Sequence, residues 1–128
     1  MAIKNTNIKK ISVVILVIFY FVAGCNHFYN PPSYYHIIPQ YLPFPVALNI
    51  LAGIFEILFA LMLVFQKTRR FGAYGIILML LAFLPVHIQM VIDAPLIVGT
   101  FTLSPLVAWI RLVILQPLLI LWAWWHRE

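Results

Sequence analysis

Charged residues are scarce in this sequence. Lys and Arg number eight and Asp and Glu three, which together make 11 of 128 residues. A soluble globular domain of this size needs more charge than that on its surface. Hydrophobic residues make up 65% of the chain, and the mean hydropathy is +1.05. These values exclude a soluble protein and predict one integral membrane domain over residues 1–128.

Cysteine is represented by Cys25 alone. An internal disulfide, a CxxC redox pair and a cysteine zinc cluster are therefore excluded. The sequence also has no metal-ligand spacing, no phosphate-binding loop and no nucleophile–base motif, so we expect no metal and no encoded cofactor. The chain by itself is more typical of a non-enzymatic protein than of an enzyme.

The net charge of +5 does not indicate a nucleic-acid partner, because the basic residues lie in short groups beside apolar runs. Membrane lipids are the expected surroundings, and a membrane-protein partner or a homo-oligomer is compatible with the pattern. The basic groups are Lys4, Lys9 and Lys10; Lys67, Arg69 and Arg70; and Arg127.

Four apolar stretches each have about the ~20 residues that a helix needs to cross the hydrocarbon of a bilayer. They lack the alternation of barrel strands, and a helix satisfies its own backbone hydrogen bonds in lipid. The sequence therefore predicts an all-α membrane protein, a bundle of four transmembrane helices over residues 8–27, 45–65, 71–92 and 104–125. Pro85 and Pro117 are expected to kink the third and fourth helices.

One alternative concerns the first stretch. Lys9 and Lys10, an apolar core and then Val22 to Cys25 are also typical of a lipoprotein signal, in which Cys25 would be lipidated. We favour a membrane span, because the pattern continues directly into His27 and Phe28, which belong to a larger motif described below.

The connections between the helices predict their orientation, because Lys and Arg are retained on the cytoplasmic side. Seven of the eight basic residues lie at the N-terminus, in residues 66–70 or at the C-terminus, and none lies in residues 26–44 or 93–103. Both termini are therefore expected in the cytoplasm, and these two loops outside.

The outer loop between the first two helices, residues 26–44, is called the proline-aromatic loop here. It is rich in prolines and aromatic side chains, so it cannot continue a helix. It either folds back as a cap over the bundle or rests its rings at the level of the lipid headgroups. In the first case, Tyr35, Pro39 and Tyr41 are the expected cap residues.

Ionisable side chains within the spans are the candidate site, because such groups are costly in lipid and normally face the bundle interior. Glu56 and Arg111 lie in the outer half and are the natural ion pair, with His87 and His27 at similar or shallower depth. One interpretation is that the pair only fixes helix register. The other is a polar pocket in the outer half, lined by His27, Glu56, His87 and Arg111.

Several short motifs, in their order and spacing, resemble the DoxX-like family of small four-helix integral membrane proteins. The likeness covers nearly the whole chain, but the family usually has Asn where this chain has His87. The motifs are Ala23 to Phe28, Asn30-Pro31, Tyr35, Ile38-Pro39, Tyr41 to Pro43, Pro45, Gly53, Glu56, Thr68 to Arg70, Gly75, Phe83 to Met90, Trp109, Arg111-Leu112 and Gln116.

The resemblance implies a bacterial inner membrane location and the four-helix fold, while it constrains activity much less. Some members of that family are associated with quinone-linked redox reactions, so it implies a redox-associated accessory protein whose pocket binds a quinone. More distant relatives resemble membrane chaperones. The alternative is therefore a non-enzymatic binding or assembly module for another membrane protein or a lipid-like ligand.

Overall fold

Four long apolar helices dominate the computed structural model, which describes residues 2–98 and 101–127, with side chains from Asn7 onward. The helices long and apolar enough to cross a membrane are Asn7–Tyr29, Pro45–Val64, Arg69–Asp93 and Pro105–Trp125. The four predicted apolar helices are thereby confirmed to within a few residues. Only 17 to 28% of the most apolar window of each span is buried, as expected of side chains that face lipid. The side chain of Lys4 lies outside the described residues.

The third and fourth spans are interrupted, and the chain contains one element that the all-α prediction missed. A two-stranded antiparallel hairpin follows the third span, with Leu96 opposite Leu103; residues 99 and 100 lie outside the described residues. In chain order the elements are α1 (Ala2–Tyr29), α2 (Pro31–Tyr35), α3 (Pro45–Val64), α4 (Arg69–Ala82), α5 (Leu84–Asp93), β1 (Leu96–Val98), β2 (Phe101–Leu103), α6 (Pro105–Ile110), a π-helical turn (Arg111–Leu115) and α7 (Gln116–Trp125).

Both interruptions lie next to the prolines expected to disturb the helices. The third span breaks at Phe83, two residues before Pro85. In the fourth span the backbone N–H of Gln116 bonds to the carbonyl oxygen of Arg111, five residues earlier, just before Pro117. Proline has no N–H to continue an α-helical ladder, and a π turn is one way to absorb the missing bond.

Helices α1 and α3 pack closely because glycines lie where their backbones meet. A Cβ atom on Gly24 would lie 3.0 Å from the carbonyl oxygen of Gly53, and one on Gly53 would lie 2.7 Å from the ring of Phe28 and 2.9 Å from the Cβ of His27. Small residues permit this approach in membrane helices. The face of α3 around Gly53, called its small-residue face here, is therefore covered by α1 and is not a free surface for a partner.

The two ends of the bundle differ. The end with Lys9, Lys67, Arg69, Arg70 and Arg127 is called the basic end, and the opposite end, with the proline-aromatic loop, the cap end. The buried apolar core lies mainly toward the basic end and consists of Val13, Leu16, Tyr20, Ala60, Leu63, Ala73, Ile76, Met79, Leu80 and Ala123. Most buried polar side chains lie instead toward the cap end, whereas that of His126 lies at the basic end.

The first and last helices are joined at the basic end by a short hydrogen-bond chain. Trp122 Nε1 donates to Ser12 Oγ at 2.8 Å, and Ser12 Oγ lies 2.9 Å from His126 Nε2. The Ser12 oxygen accepts from Trp122, and its hydroxyl can donate to Nε2 of His126 or accept from it, according to the tautomer of the imidazole. Chain ends distant in sequence are thus tied together.

Candidate functional site

A cavity of about 420 Å³ opens between α1, α3, α5 and the fourth span toward the cap end. All four side chains predicted for the polar pocket line it: His27, Glu56, His87 and Arg111. The four side chains come from four different spans, so the packing of the helices brings them together. Most of the remaining wall is apolar, formed by side chains that include Phe19, Leu48, Phe83, Val86 and Leu119.

His27 is held in one orientation by Asn49 of α3. The amide Nδ2 of Asn49 donates to the carbonyl oxygen of His27 at 2.9 Å, which leaves Asn49 Oδ1 facing His27 Nδ1 at 2.7 Å. That oxygen can only accept, so Nδ1 of His27 carries the hydrogen. Nε2 of His27 points to the opposite side, toward Glu56.

Glu56 has a different partner from the one predicted. Its Oε2 lies 3.3 Å from His27 Nε2, and both side chains are buried. Among the described residues no ion pair joins Glu56 to Arg111, so the predicted pair between them is wrong. Glu56 and Arg111 do line the same cavity, but the side chain within 4 Å of the Glu56 carboxylate is the imidazole of His27, at the end of α1.

Arg111 is held by an amide. Its guanidinium donates to Gln116 Oε1 at 2.6 Å, and Nε2 of Gln116 donates to the backbone carbonyl of Leu80. The π turn places Arg111 and Gln116, five residues apart, on one side of the fourth span. Gln116 therefore connects Arg111 to the end of α4, just before the break at Phe83.

Three buried polar atoms of the cavity wall have no hydrogen-bond partner: Tyr20 Oη, Glu56 Oε2 and His87 Nδ1. The three residues are 3, 6 and 8% exposed. Buried polar atoms are nearly always paired, because an unpaired one costs about 1–3 kcal/mol. The residues that carry these atoms line one cavity together with the cation of Arg111, which is typical of a binding site for a molecule with polar atoms of its own.

The proline-aromatic loop covers one side of this cavity. Its first residues belong to α1, Pro31–Tyr35 form α2, and the ring of Tyr34 stacks on His27 with centroids 3.9 Å apart. Asn26 Nδ2 donates to the hydroxyl of Tyr34 at 2.7 Å. The loop residues that line the cavity are Tyr34, Ile37, Ile38 and Leu42.

The predicted cap residues are placed differently. Pro39 is buried, but Tyr41 is 68% exposed, Tyr35 is exposed, and none of the three lines the cavity. In a short helix such as α2, neighbouring residues point in different directions, so Tyr34 faces inward where Tyr35 does not. The choice between the two tyrosines could not be made without the helix.

Sequence reasoning also missed Tyr20, Tyr34 and Gln116 as site residues. Tyr20 and Gln116 are almost fully buried, and each was a polar group within an apolar span. A polar atom at that depth requires a partner. The presence of a hydroxyl or an amide within an apolar span was therefore the signal by which the sequence could have indicated these two residues. Among the described residues, no group of three or more His, Cys, Asp or Glu side chains is arranged to hold a metal ion.

One family model matches the chain, described as a domain of unknown function (DUF8561), over residues 16–127. No curated protein matches the chain. No solved structure matches it either. The matched range includes every side chain of the cavity named above.

Proposed function

The chain belongs to the DUF8561 family of domains of unknown function, and from its cavity we propose that it binds a small amphipathic molecule taken from the membrane. The observation that carries this proposal is the set of three buried polar atoms without a hydrogen bond, those of Tyr20, Glu56 and His87, in residues that line one cavity. A bound molecule would satisfy them. The apolar remainder of the wall would hold its hydrocarbon part.

Access from the lipid supports a membrane-soluble ligand. A shallow groove on the outside of α1 is lined by Ile18, Phe19, Val22, Ala23, Asn26 and Tyr34. Three of these side chains, Phe19, Ala23 and Tyr34, also line the cavity. The groove and the cavity are therefore neighbours, and a ligand with a tail would leave the tail in the groove, among lipid chains.

The membrane placement is part of the proposal. Both termini are assigned to the cytoplasm and the cap end to the outside, because Lys and Arg gather at the basic end. The cavity would then open to the outer half of a bacterial inner membrane. The relationship to DoxX-like proteins is proposed on the sequence motifs alone.

A quinone is the second ligand class, and it would make the protein an accessory of a redox reaction. The observation that favours it is the presence of two uncharged hydrogen-bonding groups, Tyr20 Oη and His87 Nδ1, in one cavity of ring size. Two carbonyl oxygens of a quinone would accept from such groups. The assembly-module alternative has less support, because α1 already covers the small-residue face of α3.

The test begins with the protein purified in lipid nanodiscs, followed by solvent extraction and mass spectrometry of the bound small molecules. We expect one compound in near-stoichiometric amount, reduced about tenfold or more in Tyr20→Phe, since one lost hydrogen bond to a buried group corresponds to about 1.4 kcal/mol. The matched control is Tyr41→Phe, the same chemical change at an exposed loop position.

Two further measurements complete the test. A decyl-substituted benzoquinone is titrated into the same nanodiscs to examine the quinone class directly. Ala52→Phe, which fills the cavity, should remove the bound compound. Extracts that contain only bulk lipid, in the proportions of empty nanodiscs and unchanged by Ala52→Phe, would contradict the binding function.

A further inference from the structure

We propose that the head of the ligand is a carboxylic acid, bound as a carboxylate by Arg111, and that its proton passes to the His27–Glu56 pair. The inference rests on the proposed binding function and names the chemical class of the ligand. The supporting observations are the partners of the two charged side chains in the cavity, Arg111 and Glu56.

Arg111 is a cation whose partner is neutral. Its one side-chain hydrogen bond goes to the amide oxygen of Gln116, and within the described side chains no carboxylate oxygen lies within ion-pair distance of its guanidinium. A guanidinium has five N–H donors in a planar fork that matches a carboxylate in two-point contact. The remaining donors of Arg111 are the strongest anion-binding groups on the cavity wall.

Glu56 does not compete for those donors, because it faces His27 at 3.3 Å. With His27 neutral, the carboxylate of Glu56 and the guanidinium of Arg111 give the cavity no net charge. A bound carboxylate alone would leave one uncompensated negative charge in a region of low dielectric constant, which is costly. One proton taken up with the ligand restores neutrality.

The structure has one position prepared for that proton. Nδ1 of His27 already carries a hydrogen that it donates to Asn49 Oδ1, so Nε2 is the free basic nitrogen and it points at Glu56 Oε2. In the binding step the O–H bond of the acid breaks and an N–H bond forms at Nε2. The step is a proton transfer, without oxidation or reduction. The product has two ion pairs, carboxylate with Arg111 and imidazolium with Glu56, and its net charge is again zero.

The other titratable groups around the cavity do not offer an equivalent site. They are Tyr20 from α1, Tyr34 from α2 and His87 from α5. Tyr34 Oη accepts from Asn26, and the hydroxyl of Tyr20 is a donor at neutral pH that would add a hydrogen bond to the carboxylate. Protonated His87 would add a second cation to the wall that already holds Arg111, so His87 serves better as a neutral hydrogen-bonding group.

The same charges disfavour other heads. An amine would add a cation to the cavity that already holds Arg111, and no anion would enter with it to restore neutrality. A phosphate monoester carries up to two negative charges, whereas the His27–Glu56 pair takes up one proton. A single carboxylate is the head that matches one guanidinium and one proton site.

The experiment compares three probes in nanodiscs that contain the full chain: dodecanoic acid, its methyl ester and the decyl-substituted benzoquinone. We expect the acid to bind at least tenfold more tightly than the ester. Above the pKa of the acid in the membrane, its affinity should fall about tenfold per pH unit, because each bound carboxylate brings one proton into the protein. Arg111→Gln should remove the preference for the acid over the ester.

The variant Glu56→Gln distinguishes proton uptake by the His27–Glu56 pair from a purely structural role of Glu56. Without the charge of Glu56, the carboxylate of the ligand and Arg111 neutralise each other, so no proton is needed. The variant should bind the acid more tightly than the original chain at high pH and show no pH dependence above the pKa of the acid. A structural role predicts weaker binding of all probes. The comparison of acid and ester in the unaltered protein does not depend on any variant folding.

The outcomes distinguish the two proposals. If neither the acid, the ester nor the quinone binds, the binding function itself is wrong. If the ester or the quinone binds as tightly as the acid, without pH dependence, the cavity binds a ligand but the assignment of an acid is overturned. Unchanged pH dependence in Glu56→Gln would overturn the proton site.

Discussion

The Nε2 atom of His27, at the end of the first helix, lies 3.3 Å from Oε2 of Glu56 in the middle of the second span. Both side chains are buried, and Asn49 holds the other side of the imidazole. The carboxylate at this depth therefore depends on a neighbour that is 29 positions away in the sequence. This relationship sets the charge of the cavity and supports the first prediction.

Removal of the two partners should have unequal effects. His27→Gln removes the imidazole beside Glu56 together with its hydrogen bond to Asn49 Oδ1, and should lower the free energy of unfolding by about 1–3 kcal/mol. Glu56→Gln removes a buried charge and leaves a neutral amide beside a neutral imidazole, so its cost should be less than about 1 kcal/mol. Chemical unfolding in detergent, followed by circular dichroism, measures both. The double variant should be more stable than His27→Gln; equal or greater loss in the double variant would contradict the pairing.

Substitution of Gln116 should lower the stability of the protein more than is usual for an uncharged side chain. It bonds both Arg111 and the backbone of Leu80, so Gln116→Leu leaves a buried carbonyl and a cation without a partner. We expect a loss of about 2 kcal/mol in the free energy of unfolding. Gln89→Leu is the matched control, because Gln89 bonds only Asp93 at an exposed position. Equal losses in the two variants would show that Gln116 does not link the spans.

The close approach of α1 and α3 makes Gly53 sensitive to the smallest side chain. Gly53→Ala places a methyl group 2.7 Å from the ring of Phe28 and 2.9 Å from His27 Cβ, so the helices must separate. Such overpacking costs about 1–3 kcal/mol. Ala47→Val on the exposed face of the same helix adds more volume and should change the unfolding temperature little. No difference between these two variants would contradict the contact.

The hydrogen-bond chain at the basic end predicts a loss of stability in acid. Burial, together with the nearby cations of Lys9 and Arg69, lowers the pKa of His126 to about 4 from 6.5. As the pH falls, the imidazole of the unfolded chain is protonated before that of the folded protein. The contribution of His126 to the free energy of unfolding is therefore complete above pH 6.5 and is lost as the pH falls from 6.5 toward 4. The loss by pH 4.5 should be on the order of 2 kcal/mol.

His126→Gln supplies the comparison, because other groups in the chain also titrate over this range. The difference in unfolding temperature between the two proteins should shrink as the pH falls from 7 to 4.5. A difference that stays constant would show that His126 does not remain neutral in the folded protein.

The proposed orientation is open to direct labelling. In a Cys25→Ser background, Tyr41→Cys should react with a membrane-impermeant maleimide added to spheroplasts, and Lys67→Cys should react only after the membrane is made permeable. Both positions are exposed. The reverse result would place the basic end outside and overturn the proposed orientation.

The four spans could be predicted because the information is local. Hydrophobicity over about 20 residues determines whether a segment crosses lipid, and each helix closes its own backbone bonds wherever its neighbours lie. The breaks near Pro85 and Pro117 follow from the missing N–H of proline for the same reason. The hairpin of Leu96–Val98 and Phe101–Leu103 was not predicted, because two strands of three residues carry too little pattern.

Four members of the polar site were also visible in the sequence, since ionisable groups in apolar spans are rare and face inward; they are His27, Glu56, His87 and Arg111. Their partners were not. The cost of a charge in lipid predicted that Glu56 and Arg111 face inward, but it did not predict the rotation and shift of one helix against another, on which pairing depends. A pair requires atoms within about 3 Å, whereas one residue of shift moves a side chain by about 1.5 Å along the helix and turns it by about 100°.

The sequence by itself determined that this protein lies in a membrane as four helices with polar groups in one half, because composition and periodicity act within each segment. Only the tertiary structure decided that Glu56 faces His27 and that Arg111 is left with a neutral amide. The physical reason is the packing of α1 on α3 through Gly24 and Gly53, which brings His27 to the carboxylate, and the π turn, which brings Gln116 to Arg111.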